Sequence, residues 1–115
     1  EILNLIDNNL INGCANITGG GLADNIKRVI PDGLVADIDL NKVKTKKIFK
    51  WLKLNNIDDK EMLKTFNCGV GFCVIVEKKN INKIKKYFTQ DYIPYEIGYI
   101  SKDVKKLNLY NSIKW

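Results

Sequence analysis

Histidine is absent from the sequence, and arginine occurs once, at Arg28. The lack of histidine excludes the commonest general base, the usual zinc sites and the Ser/His or Cys/His arrangements of nucleophilic catalysis. No apolar run approaches the roughly 20 residues that span a bilayer, so we expect no membrane partner. Cysteine is sparse, and Cys14, Cys68 and Cys73 form no C-x-x-C pair. Because no signal peptide is visible either, we expect reduced thiols in a cytoplasmic protein.

The positive charge comes almost entirely from lysine. The net charge is +6, and 18 of the 19 basic residues are lysines spread along the chain. Nucleic-acid sites usually add arginine and aligned aromatic rings, so we expect solvated lysine faces and no nucleic-acid partner. Arg28 stands out against this background. It either forms an ion pair with Asp24 one helical turn earlier or binds a ligand. A guanidinium group can donate two parallel hydrogen bonds to a ligand, which a lysine cannot do.

Helical and strand patterns alternate along a chain whose 115 residues suffice for a single domain with a real core. Spacings of three and four predict helices, strict alternation predicts a half-buried strand, and a continuous apolar run predicts a central strand buried on both faces. We predict helices after Ile2, over Leu22 to Ile30, around Ile48 to Leu52, from Asp58 and from Asn80, and strands over Cys14 to Thr18, Leu34 to Leu40, Cys68 to Val76, Tyr95 to Ile100 and within the tail from Val104 to Trp115. This order predicts an α/β (α+β) fold, with a mixed β-sheet layered with helices.

The first distinctive segment is "NITGGGLADNIKRVIP", residues 16–31, which places three glycines between a strand and a helix. Amides at a helix N-terminus attract anions, and glycines let the backbone approach an oxyanion closely. Thr18 could add a hydroxyl and Arg28 a charged donor. The segment is neither a P-loop nor a G-x-G-x-x-G sequence, so a simple turn before the helix remains the alternative.

The second distinctive segment is "EMLKTFNCGVGFCVIV", residues 61–76. A helix ends in the polar corner Thr65-Phe66-Asn67, and Gly69 and Gly71 follow at the start of the apolar run. Glycine in a strand usually marks a bulge or a close backbone approach. Two interpretations stay open, tight packing of helix against strand and a surface that faces a ligand.

Together the two segments resemble those of phosphoribosylformylglycinamidine cyclo-ligases, also called aminoimidazole ribonucleotide synthetases. The C-terminal domain of that family typically carries "AHITGGGLxENIPRVLP" followed by "EMxxTFNCGIGM". Here "GLVADID" and "IFKWL" lie between the two segments, and "YEIGYI" resembles the final strand. The resemblance covers nearly the whole chain, and it implies the C-terminal domain, residues 1–115, of a two-domain enzyme.

This resemblance implies a role in de novo purine biosynthesis. The family uses ATP to activate the amide oxygen of formylglycinamidine ribonucleotide, and ring closure gives aminoimidazole ribonucleotide, ADP and phosphate. It also implies partners: an N-terminal ATP-binding and dimerisation domain that is absent here, which carries most ligands of ATP and Mg²⁺, and a second copy in a full-length homodimer. We therefore expect the 115 residues alone to lack cyclo-ligase activity.

The resemblance also implies which residues form the site, one wall of an inter-domain cleft. The candidates for binding substrate or phosphate are Asn16, Thr18, Gly19, Gly20, Gly21, Asn25 and Arg28. The residues expected to line the cleft are Thr65, Phe66, Asn67, Gly69 and Gly71. No catalytic residue and no metal ligand is assigned. The family usually places histidine where Asn16 stands, and an amide cannot act as a base near neutral pH. A member that never needed the base, a diverged paralogue and a degenerate copy all fit this departure.

Two other functions remain as alternatives. The chain could be a non-catalytic basic module that binds nucleic acid or a protein, which salt-dependent retention on nucleic acid would favour. It could also belong to another branch of the same ATP-dependent superfamily, such as formylglycinamidine ribonucleotide synthase or selenophosphate synthetase. The order of the two segments and their residue sequences argue against that branch.

Overall fold

The computed structural model describes all 115 residues, and the chain divides into two compact units. One unit comprises Glu1–Cys14 with Val74–Glu96, and the other comprises Ala15–Cys73 with Ile97–Trp115. The helices are α1 (Ile2–Asp7), α2 (Gly21–Lys27), α3 (Lys47–Leu54), α4 (Asp59–Thr65) and α5 (Ile81–Ile84). The strands are β1 (Gly13–Asn16), β2 (Leu34–Asp39), β3 (Phe72–Ile75), β4 (Gly98–Lys102) and β5 (Leu107–Tyr110). None of the helices has the length and apolar character needed to cross a membrane.

The unit formed by Glu1–Cys14 and Val74–Glu96 has a small core of its own. Leu5, Leu10 and Ile84 are buried there, and partly buried apolar side chains from both segments pack against them. The helix predicted after Asn80 is much shorter than its pattern suggested. It covers only four residues, the Asn80 side chain makes no capping bond, and the chain continues as a 3-10 turn over Lys85–Tyr87.

The unit formed by Ala15–Cys73 and Ile97–Trp115 contains a three-stranded sheet in the order β4-β2-β5. Strand β2 pairs antiparallel with β4 and parallel with β5, so the sheet is mixed, as predicted. The alternation seen in the sequence of β2 buries Ala36 and Ile38, whereas the Asp37 and Asp39 side chains stay half-buried. The alternation is not strict in the structure, because Val35, on the face of the two aspartates, is buried as well. The Asp37 carboxylate accepts hydrogen bonds from Ser101 Oγ at 2.8 Å and Asn108 Nδ2 at 3.0 Å, which ties all three strands together.

Helices α2 and α4 pack against each other within the same unit. Leu22 and Met62 are almost fully buried, at 1% and 0% exposed, and burial of such side chains is worth about 1.5–3 kcal/mol each. The predicted start of α4 is confirmed, because the Asp58 carboxylate accepts a 2.8 Å hydrogen bond from the backbone N–H of Glu61. This cap fixes where α4 begins, and the helix ends at Thr65, where Phe66 adopts an extended conformation.

The prediction of a central strand over Cys68 to Val76 is wrong. Strand β3 covers only Phe72–Ile75 and pairs with β1 in a two-stranded sheet, and Phe72 is 43% exposed. Cys68 and Gly69 have φ angles of 52° and 103°, so the chain turns at these residues and cannot be extended. An apolar run alone does not distinguish a strand from a buried turn that leads into one.

Several other boundaries differ from their predictions. Strand β1 covers Gly13–Asn16 and does not reach Thr18, β2 ends at Asp39, and β4 continues to Lys102. Helix α2 ends at Lys27 and not at Ile30, and β4 begins at Gly98 and not at Tyr95. Gly98 lies so close to β2 that a Cβ there would be 2.0 Å from the Asp37 carbonyl oxygen, which explains the glycine at this position. The predicted edge strand in the tail is confirmed by β5, at one edge of the sheet.

Asp59 links three segments of this unit and provides a pH-dependent test of its stability. Its carboxylate lies 2.6 Å from Lys53 Nζ and accepts a 3.0 Å hydrogen bond from Trp115 Nε1. The hydrogen bond from Lys53, with a smaller contribution from Trp115, lowers the pKa of Asp59 against the opposing effect of desolvation. A carboxyl with a lowered pKa stabilises the fold above its unfolded pKa, and this stabilisation is lost as the pH falls through the folded value.

We expect Asp59→Asn to lower the free energy of unfolding at pH 7 by about 1 kcal/mol or less, because the ion pair is partly solvated. The difference should disappear at acid pH, where the wild-type carboxyl is protonated. Urea denaturation of both proteins at pH 7, at about pH 4 and at about pH 2 measures this trend, because the lowered pKa keeps the folded carboxyl ionised below the ordinary range of an aspartate. A difference that stays constant across this range would contradict the role given to the charge.

Candidate functional site

A pocket of about 300 Å³ lies within the unit formed by Ala15–Cys73 and Ile97–Trp115. It brings the two distinctive segments together: Ile17 and Thr18 come from the first, and Thr65, Phe66 and Asn67 come from the second. Phe49 of α3 completes the lining. Its ring lies 6.3 Å from that of Phe66, tilted by 58°, so an aromatic pair forms one side of the pocket.

The glycine loop beside Thr18 has a backbone that demands glycine at two positions. Gly20 and Gly21 have φ angles of 92° and 62°, and the Gly21 N–H donates to the Thr18 carbonyl oxygen at 3.0 Å. A Cβ on Gly21 would lie 1.8 Å from the Leu63 carbonyl oxygen of α4. Gly21 is therefore a point of backbone contact between α2 and α4. Gly19, by contrast, has open space where a Cβ would be.

The Asn25 side chain stabilises this loop through hydrogen bonds to its backbone carbonyls. The side chain is 6% exposed, and its Nδ2 group donates to the carbonyl oxygens of Gly21 at 2.7 Å, Gly19 at 3.3 Å and Thr18 at 3.4 Å. The amino group has two hydrogens, so at least one of them is shared between carbonyl oxygens. The short bond to Gly21 is buried, whereas the longer bonds to Gly19 and Thr18 are only partly buried. The structure therefore gives Asn25 a supporting position, outside the pocket lining.

The corner Thr65-Phe66-Asn67 of the second segment is stabilised by hydrogen bonds within that segment. Thr65 Oγ1 donates to Glu61 Oε1 at 2.5 Å, and Asn67 Oδ1 accepts from the Gly69 N–H at 3.0 Å. The Val70 N–H donates to the Asn67 carbonyl oxygen at 2.9 Å, which closes a turn. Asn67 is thus fixed through both its backbone and its side chain.

Several predicted site residues lie outside the pocket lining. Asn16 is exposed at the last position of β1, and Arg28 is exposed just past the end of α2, without the ion pair to Asp24 that we considered. A Cβ on Gly69 would lie 2.9 Å from the Lys44 carbonyl oxygen, and the Gly71 carbonyl accepts from the Ile17 N–H at 3.0 Å. The binding roles of these residues stay predictions. The sequence reasoning missed Phe49, although "IFKWL" was recognised as part of the resemblance.

Two of the cysteines have thiols that stay protonated near neutral pH. Desolvation, with a smaller contribution from Asp59, raises the pKa of Cys68 to about 11, and burial raises that of Cys73 to about 11. A protonated thiol is a poor nucleophile. Cys68 Sγ instead lies 3.4 Å from the Met62 carbonyl oxygen, in contact with the end of α4.

The chemistry available in the pocket is that of binding and orientation. The lining offers two hydroxyls, one carboxamide and two aromatic rings, and it contains no carboxylate and no cationic side chain. None of these groups exchanges a proton near neutral pH. Such a surface can bind hydroxyl, carbonyl or phosphate oxygens beside an apolar face, without supplying acid or base.

Comparison with known proteins supports the resemblance noted in the sequence. Residues 1–107 match the family described as "AIR synthase related protein, C-terminal domain". A trifunctional purine biosynthetic protein adenosine-3 from Chironomus tentans is 46% identical over 87 residues, covering 75% of this chain and 6% of that protein. A phosphoribosylformylglycinamidine cyclo-ligase from Neisseria gonorrhoeae is 39% identical over 101 residues, covering 86% of this chain and 29% of that protein.

The chain thus spans less than a third of the length of either relative. The match includes both distinctive segments and every residue that lines the pocket, since all of these fall within residues 1–107. The chain belongs to the AIR synthase related protein family and corresponds to the C-terminal domain of that family.

Proposed function

We propose that this domain forms one wall of the active site of an ATP-dependent cyclo-ligase that converts formylglycinamidine ribonucleotide into aminoimidazole ribonucleotide. The observation that carries the proposal is the pocket in which Thr18 of the first segment lies with Thr65, Phe66 and Asn67 of the second. The 39% identity to a named cyclo-ligase supports the choice of reaction. The other wall, the homodimer contacts and a cytoplasmic location belong to the same proposal.

The pocket residues contribute positioning to this reaction. The Thr18 hydroxyl has no partner within the protein, so it is available to a ribose or phosphate oxygen. The aromatic pair of Phe49 and Phe66 can exclude water from one face of the ligand. Holding reacting groups in a productive geometry lowers a barrier without any acid or base on this wall.

ATP and Mg²⁺ differ in how well they fit these residues. ATP supplies the phosphoryl group that activates the amide oxygen, and the hydroxyls and carboxamide suit the oxygens of a nucleotide or ribose phosphate. Mg²⁺ prefers carboxylate and phosphate oxygens, and the pocket lining contains no carboxylate. In this proposal the protein ligands of Mg²⁺ lie in the N-terminal domain, and the 115 residues alone do not close the ring.

The test is binding of ribose 5-phosphate to the 115-residue chain. We expect saturable shifts of the backbone amide signals of Thr18 and Asn67 in NMR titrations. Thr18→Val keeps the shape of the side chain and removes the hydroxyl, so it should weaken binding about fivefold, the equivalent of one hydrogen bond worth about 1 kcal/mol.

The matched control is Thr89→Val, an exposed threonine outside the pocket, which should bind like the wild type. Equal weakening by both variants would contradict a specific role for Thr18. Shifts confined to the lysine-rich surface and abolished by moderate salt would instead favour the basic binding module.

A further inference from the structure

The polar side chains of the pocket differ in which hydrogen-bonding groups they leave free. Thr65 Oγ1 already donates its proton to Glu61 Oε1, so this hydroxyl faces a ligand as an acceptor. The Thr18 hydroxyl can rotate and serve as donor or acceptor. Asn67 differs from both, because its carboxamide oxygen already accepts a hydrogen bond from the backbone.

The orientation of the Asn67 carboxamide follows from its partner. A backbone N–H can only donate, so the atom 3.0 Å from the Gly69 nitrogen must be the Oδ1 acceptor. The Nδ2 amino group therefore lies at the other end of the carboxamide, and no protein group accepts from it. Two N–H donors remain available in a residue that lines the pocket.

The backbone around Asn67 prevents the carboxamide from turning over freely. The Val70 N–H bonds back to the Asn67 carbonyl, and Cys68 is fully buried with a left-handed φ of 52°. Gly69 has a φ of 103° and no room for a Cβ beside the Lys44 carbonyl. A turn held at three successive residues keeps the Gly69 N–H directed at Oδ1, so the donor end is preorganised.

We propose that Asn67 is a specificity-determining residue of this pocket, a fixed donor that binds an oxygen acceptor and selects against a ligand with an amine at that position. This rests on the proposed function only in assuming that a ribose phosphate enters the pocket. The acceptor is a phosphate or hydroxyl oxygen of that ligand. Asn67 is half-buried, so its free donors are hydrated in the unliganded chain. A ligand that covers these donors without accepting from them removes their hydrogen bonds to water without replacement, which disfavours an amine at that position.

Asn67→Asp separates the two halves of the carboxamide. The introduced carboxylate can still accept from the Gly69 N–H, so the turn is kept, whereas both donors are lost. We expect the free energy of unfolding to change by less than about 1 kcal/mol. Affinity for ribose 5-phosphate, measured by NMR titration, should fall at least about tenfold, as expected for loss of a hydrogen bond to a charged group.

Two controls separate the donor from other effects. Asn41→Asp adds the same charge at an exposed residue outside the pocket and should bind within about twofold of the wild type, since exposed charges are screened by solvent. Asn67→Ala removes donor and acceptor together and should also weaken protection of the Gly69 amide from hydrogen exchange. The wild-type Asn67 side-chain amino signals should shift on addition of ribose 5-phosphate, which tests the contact even if a variant fails to fold.

The possible results distinguish this inference from the proposed function. If the wild type binds and Asn67→Asp binds equally well, or if the Asn67 amino signals stay still while the Thr18 amide moves, the donor role is overturned and the proposed function stands. If the wild-type chain does not bind ribose 5-phosphate at all, both are overturned for this chain. Loss of affinity both in Asn67→Asp with retained protection of Gly69 and in the uncharged Asn67→Ala supports the donor role, whereas a loss confined to Asn67→Asp is explained by repulsion between the carboxylate and the phosphate and overturns it.

Discussion

Gly21→Ala is expected to lower the free energy of unfolding by about 3 kcal/mol or more, which for a domain of this size leaves little stability. The methyl group would lie 1.8 Å from the Leu63 carbonyl oxygen, and the φ of 62° is already unfavourable for alanine. To avoid this clash, α2 and α4 would have to move apart, which would disrupt the packing around Leu22 and Met62. Urea denaturation monitored by circular dichroism measures the loss.

The matched control lies two residues earlier in the same loop. Gly19 has no atom within 4 Å of a Cβ position, and its φ is not positive. Gly19→Ala should therefore change stability by no more than about 0.5 kcal/mol. Equal effects of the two substitutions would show that the loop relaxes freely, and that the contact with α4 does not restrict Gly21.

The glycine loop shows how far the sequence reasoning reached. A strand, three glycines and a helix predicted a special backbone, and the left-handed angles at Gly20 and Gly21 agree with that. The sequence left open why glycine is needed. The reason is tertiary, since Leu63 lies far along the chain from Gly21 and their contact depends on how α2 and α4 pack. Local patterns contain no information about such a contact.

The pocket was partly predictable in the same way. The pairing of the two segments by resemblance anticipated that Thr18 and Thr65 to Asn67 come together, whereas their ligand roles stay predictions. Arg28 attracted attention as the lone arginine, and its position follows from the end of α2 at Lys27, which the helical periodicity placed too late. Phe49 was missed because an aromatic residue at helical spacing looks the same whether it faces a core or a pocket.

The strand errors have a different cause. The segment from Cys68 to Val76 has the composition of a buried strand, but Cys68 and Gly69 adopt left-handed angles that a strand cannot contain. Glycine at position 69 predicted a bulge or a close backbone approach, and the structure shows the close approach, to the Lys44 carbonyl oxygen. The positive φ at Cys68 has no sequence signature, since non-glycine residues seldom adopt it. That turn is also what fixes Asn67 in the pocket. The region that sequence patterns described least well is therefore the one on which the inferred donor depends.

Asn25→Asp is expected to cost about 3 kcal/mol of stability at pH 7, and to disorder the glycine loop as well. The wild-type amide donates to three loop carbonyls in a side chain that is 6% exposed. A carboxylate of the same shape would face those carbonyls with acceptors only. Both the buried charge and the unpaired carbonyls oppose folding.

The pH dependence identifies the cause of that loss. Burial among carbonyls should raise the pKa of the introduced carboxyl in the folded state above its unfolded value of about 3.9. A raised folded pKa means that the deficit relative to the wild type is smallest below about pH 4 and grows as the pH rises through the folded value. Thermal melts of both proteins between about pH 4 and pH 7 measure this trend.

Asn8→Asp is the matched control for the Asn25 prediction. Asn8 Nδ2 also donates to a carbonyl four residues earlier, that of Asn4 at 2.8 Å, but the bond is exposed. Water can replace an exposed bond, so this variant should lose less than about 1 kcal/mol and show little added pH dependence. If the two variants behaved alike, the three carbonyl bonds of Asn25 would not be what holds the loop, and its predicted contact with a ligand would become the better explanation for an asparagine there.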